Sequence, residues 1–177
     1  MPTRTVTELE ALLEQLEKEA VPLTPEALEK VAATIGKMHS VESDEVAILE
    51  LRSGSKALTF ILPQKLRSVG SIPLTSAHSL AARTARERRS DIVNNFAQSR
   101  HASVFEGVPL GRPQGVFIQK LVSVPILRDE DVLGVVQISR KGESSQDCGP
   151  DFRPSDIKSL RELNELLIRF LALAQIA

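Results

Sequence analysis

The chain predicts an α+β fold, an antiparallel β-sheet with amphipathic helices on its faces and a single layered core. Three observations carry the prediction. Residues 121–142 read as two β-branched-rich runs joined by the polar turn Arg128-Asp129-Glu130-Asp131. A helix with the wide apolar stripe Ile157, Leu160, Leu163, Leu166, Leu167, Phe170, Leu171 and Ala174 follows them. The order of elements along the whole chain is helix, helix, hairpin, short strand, helix, loop, hairpin, helix.

Taken in order, Val6, Leu9, Leu12, Leu13 and Leu16 form one apolar stripe and predict a helix over residues 6–19. Thr5 with Glu8 fits a capping box. A short amphipathic helix needs a partner surface, its own domain or a second copy. Thr24-Pro25-Glu26 then opens a second helix carrying Leu28, Val31, Ala32, Ile35 and Met38. Residues 46–51 and 57–62 read as a hairpin around Arg52-Ser53-Gly54-Ser55. Residues 71–74 read as a short edge strand, 76–88 as a helix and 91–93 as another short strand. Residues 94–115 lack a pattern and read as a loop. In the large hairpin, both runs are more apolar than strict alternation requires, so both faces should be covered. Pro125 cannot donate to a ladder and favours an edge or a bulge, and Gly134 signals close backbone approach. Phe152-Arg153-Pro154-Ser155-Asp156 opens the last helix, which is expected to run to the C-terminus.

Length and composition exclude several classes. The chain has 177 residues, enough for one domain with helical extensions. We divide it into an N-terminal packing or dimerisation helix, residues 1–22, and a domain over residues 23–177. The formal net charge of −1 gives no electrostatic reason to expect nucleic acid or an anionic membrane. With six Phe, no Trp and no Tyr, base-stacking platforms and aromatic cages are disfavoured. The single Cys148 excludes an intramolecular disulfide and a multi-cysteine metal site. No apolar run reaches the roughly 18 residues of a membrane span. The acidic, periodic N-terminus is unlike a signal peptide, so a cytoplasmic location is expected.

Ser123-Val124-Pro125-Ile126 followed by Val132-Leu133-Gly134-Val135-Val136-Gln137-Ile138 resembles the hairpin motif of GAF domains, a family of small sensory modules. Phe152 to Asp156 and the leucine-rich helix resemble the family's ending. The likeness covers residues 25–177. It implies five to six antiparallel strands sandwiched by helices, with the first and last helices packed together and often dimerising. It also implies a small-molecule pocket between the sheet and the irregular segment, here about residues 76–115. Family uses include binding cyclic nucleotides, tetrapyrroles, haem or other small ligands, and dimerisation alone, among which a fold does not choose.

The chemical options narrow further. Covalent bilin attachment needs a pocket thiol, and Cys148 lies in the polar turn before the last helix. Asn95-Phe96 does not reproduce the NKXnFX3DE signature of the cyclic-nucleotide branch. One enzymatic branch reduces free methionine sulfoxide, using a nucleophilic and resolving thiols, and a lone cysteine has no internal resolving partner. No catalytic residue and no metal ligand set is assigned. The donor-rich stretch holding Asn94, Asn95, Arg100 and His101, with His78 and Glu106 nearby, is the candidate ligand-binding set. His78 and His101 equally suit solvent-facing positions, and the stretch a solvated loop. The expectation is a non-enzymatic sensory or regulatory domain. It would bind an unidentified small molecule, form a homodimer through its terminal helices and signal to a separate, unidentified protein. No cofactor is named by the sequence. The alternatives are a ligand-free dimerisation scaffold and a redox enzyme of the methionine sulfoxide reductase type.

Overall fold

A computed structural model describes residues 4–19, 22–68, 70–98 and 117–175. Six antiparallel strands form one sheet in the order β3-β2-β1-β6-β5-β4. The strands are β1 (Val46–Glu50), β2 (Ala57–Leu62), β3 (Ser71–Pro73), β4 (Asp91–Val93), β5 (Phe117–Arg128) and β6 (Asp131–Gly142). The helices are α1 (Arg4–Glu19), α2 (Pro25–Gly36), α3 (Leu80–Glu87), α4 (Pro154–Glu162) and α5 (Asn164–Ala174). The α+β class and the antiparallel sheet read from the sequence are those of the structure.

The sheet is built around the β5–β6 hairpin, whose ladder runs from Phe117↔Gly142 to Arg128↔Asp131. Its turn is tighter than expected: Asp129 and Glu130 alone lie between the strands, with Asp129 at φ 56°. A short side chain that tolerates the left-handed region permits that turn. The two short strands read from the sequence, β3 and β4, close the sheet at its two edges. Pro125 meets its expectation in a particular way. Strand β4 pairs with β5 only over Leu121, Val122 and Ser123, so Pro125 lies beyond the end of that partner. There the edge of β5 is closed by a side chain. The Asn164 carboxamide oxygen accepts from the Leu127 N–H at 3.0 Å, and its amide donates to the Leu127 carbonyl at 2.8 Å. One asparagine does for Leu127 what a neighbouring strand would do.

That bond also marks a departure from the expected single terminal helix. The helical run is broken at Leu163, fully buried, between α4 and α5. The Leu163 N–H bonds to the Leu160 carbonyl at 3.1 Å, a tighter turn than the α-helix makes. The break immediately precedes Asn164, the residue whose side chain is committed to β5. The apolar periodicity passes through it unchanged, which is why the sequence reads as one helix.

The two sheet faces carry different loads. Helices α1, α2, α4 and α5 share one large core with Ile48, Val122, Val124, Val136 and Ile138. On the other face, Ala81, Ala82 and Ala85 of α3 pack on Leu49, Leu58, Phe60 and Val135. Strand alternation explains the split, since odd and even positions of one strand point to opposite faces.

Helix α1 starts at Arg4, one residue ahead of Thr5, so Thr5 lies inside the helix rather than capping it. Glu8 is instead held by Arg4 at 3.0 Å and Lys37 at 3.6 Å. The α1 stripe is covered within the chain: Leu9, Leu13 and Leu16 belong to the large core. Glu17 pairs with Arg169 of α5, so the two terminal helices lie together. Among the described residues, Phe117 is the one large hydrophobic side chain classed as exposed. The leucines that, from the sequence, called for a covering surface, their own domain or a second copy, are largely covered within the chain.

Candidate functional site

The expected pocket lies between the sheet and residues 76–115, of which 99–115 lie outside the described residues; in the described part, α3 packs directly on the sheet. Small alanines let α3 sit directly on the strands, and its one buried polar side chain is satisfied. Thr84 Oγ1 lies 2.7 Å from Ser123 Oγ and donates or accepts there, and Gln137 Nε2 donates to the same Ser123 oxygen at 3.1 Å. Thr84 also lies 2.9 Å from the Leu80 carbonyl. A buried polar network with its members paired orders the layer between α3 and the sheet.

Among several surface clefts, including one of about 420 Å³ between α2 and the end of β2, two adjoin at the far end of the β5–β6 hairpin. One cleft of about 570 Å³ is lined by Asn94, Asn95, Lys120, Ser145, Gln146, Gly149 and Asp151. A second of about 470 Å³ adjoins it and shares Asn95, Ser145 and Gln146. Two separate segments build the walls, the turn after β4 and the loop between β6 and α4. Asn94 fastens them together. Its amide donates to the Phe152 carbonyl at 3.1 Å, and its carbonyl accepts from the Phe152 N–H at 2.9 Å.

The charged lining of the larger cleft is an ion pair, Lys120 with Asp151. Lys120 stands opposite Arg140 in the ladder, and both are buried although both are charged. Lys120 Nζ donates to the Gly149 carbonyl at 2.7 Å and meets Asp151 at 2.8 Å. The Arg140 guanidinium lies over the Phe152 ring, 4.8 Å from its centroid, a cation–π contact. Gly149, at φ 106°, closes over that guanidinium. A β-carbon there would stand 3.2 Å from Arg140 Cδ, so glycine answers both the backbone conformation and the space.

Behind Phe152 lies His39, at the end of the 3₁₀ turn after α2. Its Nδ1 lies 2.8 Å from Asp156 Oδ1, and Asp156 Oδ2 accepts from the Arg153 N–H at 2.7 Å to cap α4. A carboxylate can only accept, so Nδ1 carries the proton and donates it to Asp156. Nε2 is buried without a partner. Burial pushes the His39 pKa below its ordinary value, against the opposing pull of Asp156. The native state therefore keeps His39 neutral, while an unfolded chain takes up a proton near pH 6.5. This contribution to stability is complete above pH 6.5 and is lost as pH falls through the native pKa. We expect the gap in urea midpoint between the native sequence and His39→Asn to shrink from pH 7.5 to pH 5. A gap that stays constant would show that His39 does not titrate differently on unfolding.

Cys148 sits closer to the cleft than its sequence position implied, since its neighbours Ser145 and Gly149 line it. Its thiol donates to the Ser145 carbonyl at 3.5 Å. Burial pushes its pKa up, with Lys120 opposing, so the thiolate that nucleophilic chemistry needs is disfavoured. Among the described residues no group of three or more His, Cys, Asp or Glu side chains could hold a metal ion. No helix among them is long and apolar enough to cross a membrane.

Of the candidate ligand residues, Asn94 and Asn95 come together at the cleft. Asn94 does so as the clasp on Phe152, and Asn95 is exposed. His78 is exposed ahead of α3 and does not line the clefts described. Arg100, His101 and Glu106 lie outside the described residues, as does most of the irregular segment. Lys120 and Arg140 were missed. Their signal was available: a charged residue inside an otherwise apolar strand, buried only if something offsets the charge.

A six-stranded antiparallel sheet with terminal helices on one face and a short helix on the other defines a class of small α+β modules. The family model described as GAF domain matches residues 14–168, and the chain belongs to that family. Three solved structures illustrate the likeness. The GAF domain of an Acinetobacter phosphoenolpyruvate-protein phosphotransferase is 15% identical with a TM-score of 0.62, covering 99% of this chain and 93% of that one. The corresponding Coxiella burnetii domain is 13% identical with a TM-score of 0.60, covering 93% of this chain and 94% of that one. A free methionine-R-sulfoxide reductase from Neisseria meningitidis, in complex with its substrate, is 15% identical with a TM-score of 0.54, covering 99% of this chain and 95% of that one. At such identities the likeness is one of fold. The comparison with curated proteins found no match.

Proposed function

We propose that the chain is a non-enzymatic, cytoplasmic GAF domain with a sensory or regulatory role, binding a small molecule in the cleft at the end of the β5–β6 hairpin. The observation that carries this reading is the cleft itself, open and polar, with the Lys120–Asp151 ion pair in its lining. The ligand would bear on the turn after β4 and on the loop leading to α4, and α4 continues through Leu163 into α5 against α1. A ligand that favours one packing of these segments would shift the outer helices, and a separate signalling protein would read the change. Self-association belongs to the same reading, through the outward surfaces of α1 and α5 rather than through their buried stripes.

Absence of catalysis is supported by the chemistry of Cys148. It is the only thiol in the sequence, and its pKa is raised rather than lowered. A reductase of the methionine sulfoxide type needs a thiolate and a resolving thiol.

A ligand-free scaffold is the second reading, and the direct packing of α3 on the sheet favours it. Native mass spectrometry of the purified protein, compared with its denatured mass, separates the two. The sensor reading expects an added mass that disappears on denaturation and is lost in Gln146→Trp, which fills the cleft. A bare chain mass under all conditions would move the assignment to the scaffold.

A further inference from the structure

The cleft between α2 and the end of β2 opens beside the large core, on the helical face of the sheet. Three segments wall it. Pro25, Leu28, Glu29 and Ala32 come from α2, Ser43 and Asp44 from the 3₁₀ turn before β1, and residues 62–65 from the end of β2 and the 3₁₀ turn that follows. Each wall is held by bonds of its own. Thr24 Oγ1 accepts from the Ala27 N–H at 3.1 Å and caps α2. The Glu45 carboxylate accepts from the Glu42 N–H at 2.9 Å and from the Lys141 N–H at 2.7 Å, and the Lys141 ammonium donates to the Asp44 carbonyl at 3.0 Å. The Leu66 N–H donates to the Pro63 carbonyl at 3.0 Å, and the Leu66 side chain is buried. A space of about 420 Å³ framed in this way is formed before a ligand arrives.

The lining is sorted by depth. Leu28, Ala32 and Leu62 are buried members of the large core and make an apolar floor. Glu29 and Lys65 are exposed and stand on different walls, Glu29 on α2 and Lys65 on the turn after β2. Among the described residues neither side chain takes part in a hydrogen bond or an ion pair, so the two do not neutralise each other. An acid and a base therefore border one apolar floor, each open to a guest. A guest fits such a rim when its own charges are opposite in sign and set apart, with apolar surface between them.

We propose that this cleft is a further binding site, for a short zwitterion with an ammonium at one end, a carboxylate at the other and an apolar chain between, as in an ω-amino acid. The ammonium lies against Glu29, with Asp44 on the neighbouring wall. The carboxylate meets Lys65, and Ser43 and Gln64 add neutral hydrogen-bonding groups at the rim. The methylenes lie over Leu28, Ala32 and Leu62, removing apolar surface from water on both sides. The site is separate from the clefts at the hairpin end, and the inference stands whether or not those hold a ligand.

The test is a titration of the ¹⁵N-labelled protein with 6-aminohexanoate near neutral pH at constant ionic strength, followed by amide chemical shifts. Hexylamine and hexanoate, each lacking one charge, and L-leucine, with both charges on one carbon, are titrated alongside. We expect saturable shifts at residues 28–32, 43–45 and 62–66, with residues 145–151 unmoved. Each single-charge analogue should bind about fivefold more weakly or worse, and Glu29→Gln and Lys65→Met should each raise the dissociation constant by a similar factor. Lys18→Met, exposed on α1, should leave it unchanged. Both substituted rim side chains are exposed and lie outside the core, so the variants keep the fold on which the test depends. Hexylamine or hexanoate binding as tightly as the zwitterion would overturn the inference, because one charge would then suffice. L-leucine binding more tightly would overturn the end-to-end arrangement. Affinity unchanged in both rim variants, shifts confined to residues 145–151, or no saturable shift at all would each overturn the site.

Discussion

Gly134→Val should be among the most damaging single substitutions in the chain. Gly134 lies in the middle of the sheet, paired with Glu50 on one side and Ile126 on the other. A β-carbon there would stand 2.2 Å from the Leu49 carbonyl oxygen and 3.3 Å from Leu171 Cδ1. The obstacle is the backbone of the neighbouring strand, which no rotamer change can relieve. Either the β1–β6 ladder opens or α5 lifts from the sheet. Each route forfeits packing in the large core, and the loss should be about 3 kcal/mol or more. For a domain of this size that is a fall of roughly 6–12 °C in Tm. Gly134→Ala meets the same oxygen and should follow in the same direction. A Gly134→Ala protein melting within about a degree of the native one would mean that the two backbones are not in contact.

Leu13→Ala tests how the N-terminal helix is held. Leu13 is fully buried in the core that α1 shares with α2 and α5. Truncating such a leucine costs about 2–5 kcal/mol, from lost transfer energy and from the cavity left behind. Because its contacts lie within the chain, the loss should be the same at micromolar and at tenfold higher protein concentration. If α1 packed chiefly against a second copy, stability would depend on concentration, and so would the effect of the substitution. Thermal melts of both proteins at two concentrations separate the cases. A Leu13→Ala effect that shrinks as concentration rises would move α1 from the domain core to an interface between copies.

The two substitutions bear on different levels of the sequence. Gly134 could be read in advance, because a glycine inside a β-branched strand has few reasons to be there other than close approach. Its neighbour across the gap could not be read, since nothing local to residues 132–139 names Leu49. Leu13 shows the converse. Its stripe was plain, and so was its need of a covering surface. Which surface covers it depends on where the chain returns, and amphipathic periodicity is the same for a helix on its own core and a helix in a dimer.

The candidate site follows the same division. Asn94 and Asn95 stood out as donors in an irregular stretch, and both line the cleft. That Asn94 uses its amide to hold the Phe152 backbone follows from a contact 58 positions apart in the chain. Lys120 and Arg140 lie on adjacent strands, 20 residues apart in the chain and opposite one another in the ladder. Read singly, each is a charge in a strand. Only their register sets them side by side, with Gly149 folded over one and Asp151 against the other.

The sequence by itself determined the strands, the helices, the antiparallel class and the GAF resemblance, because each of these is written in local period, turn chemistry and caps. The break at Leu163, the internal burial of α1, the packing of α3 on the sheet and the buried Lys120–Arg140 register were decided only by the tertiary structure. Each of those depends on which distant residues meet. Hydrophobic burial drives the chain together without direction. Specific partners are chosen when hydrogen bonds, charges and backbone contacts are fitted into the space that remains.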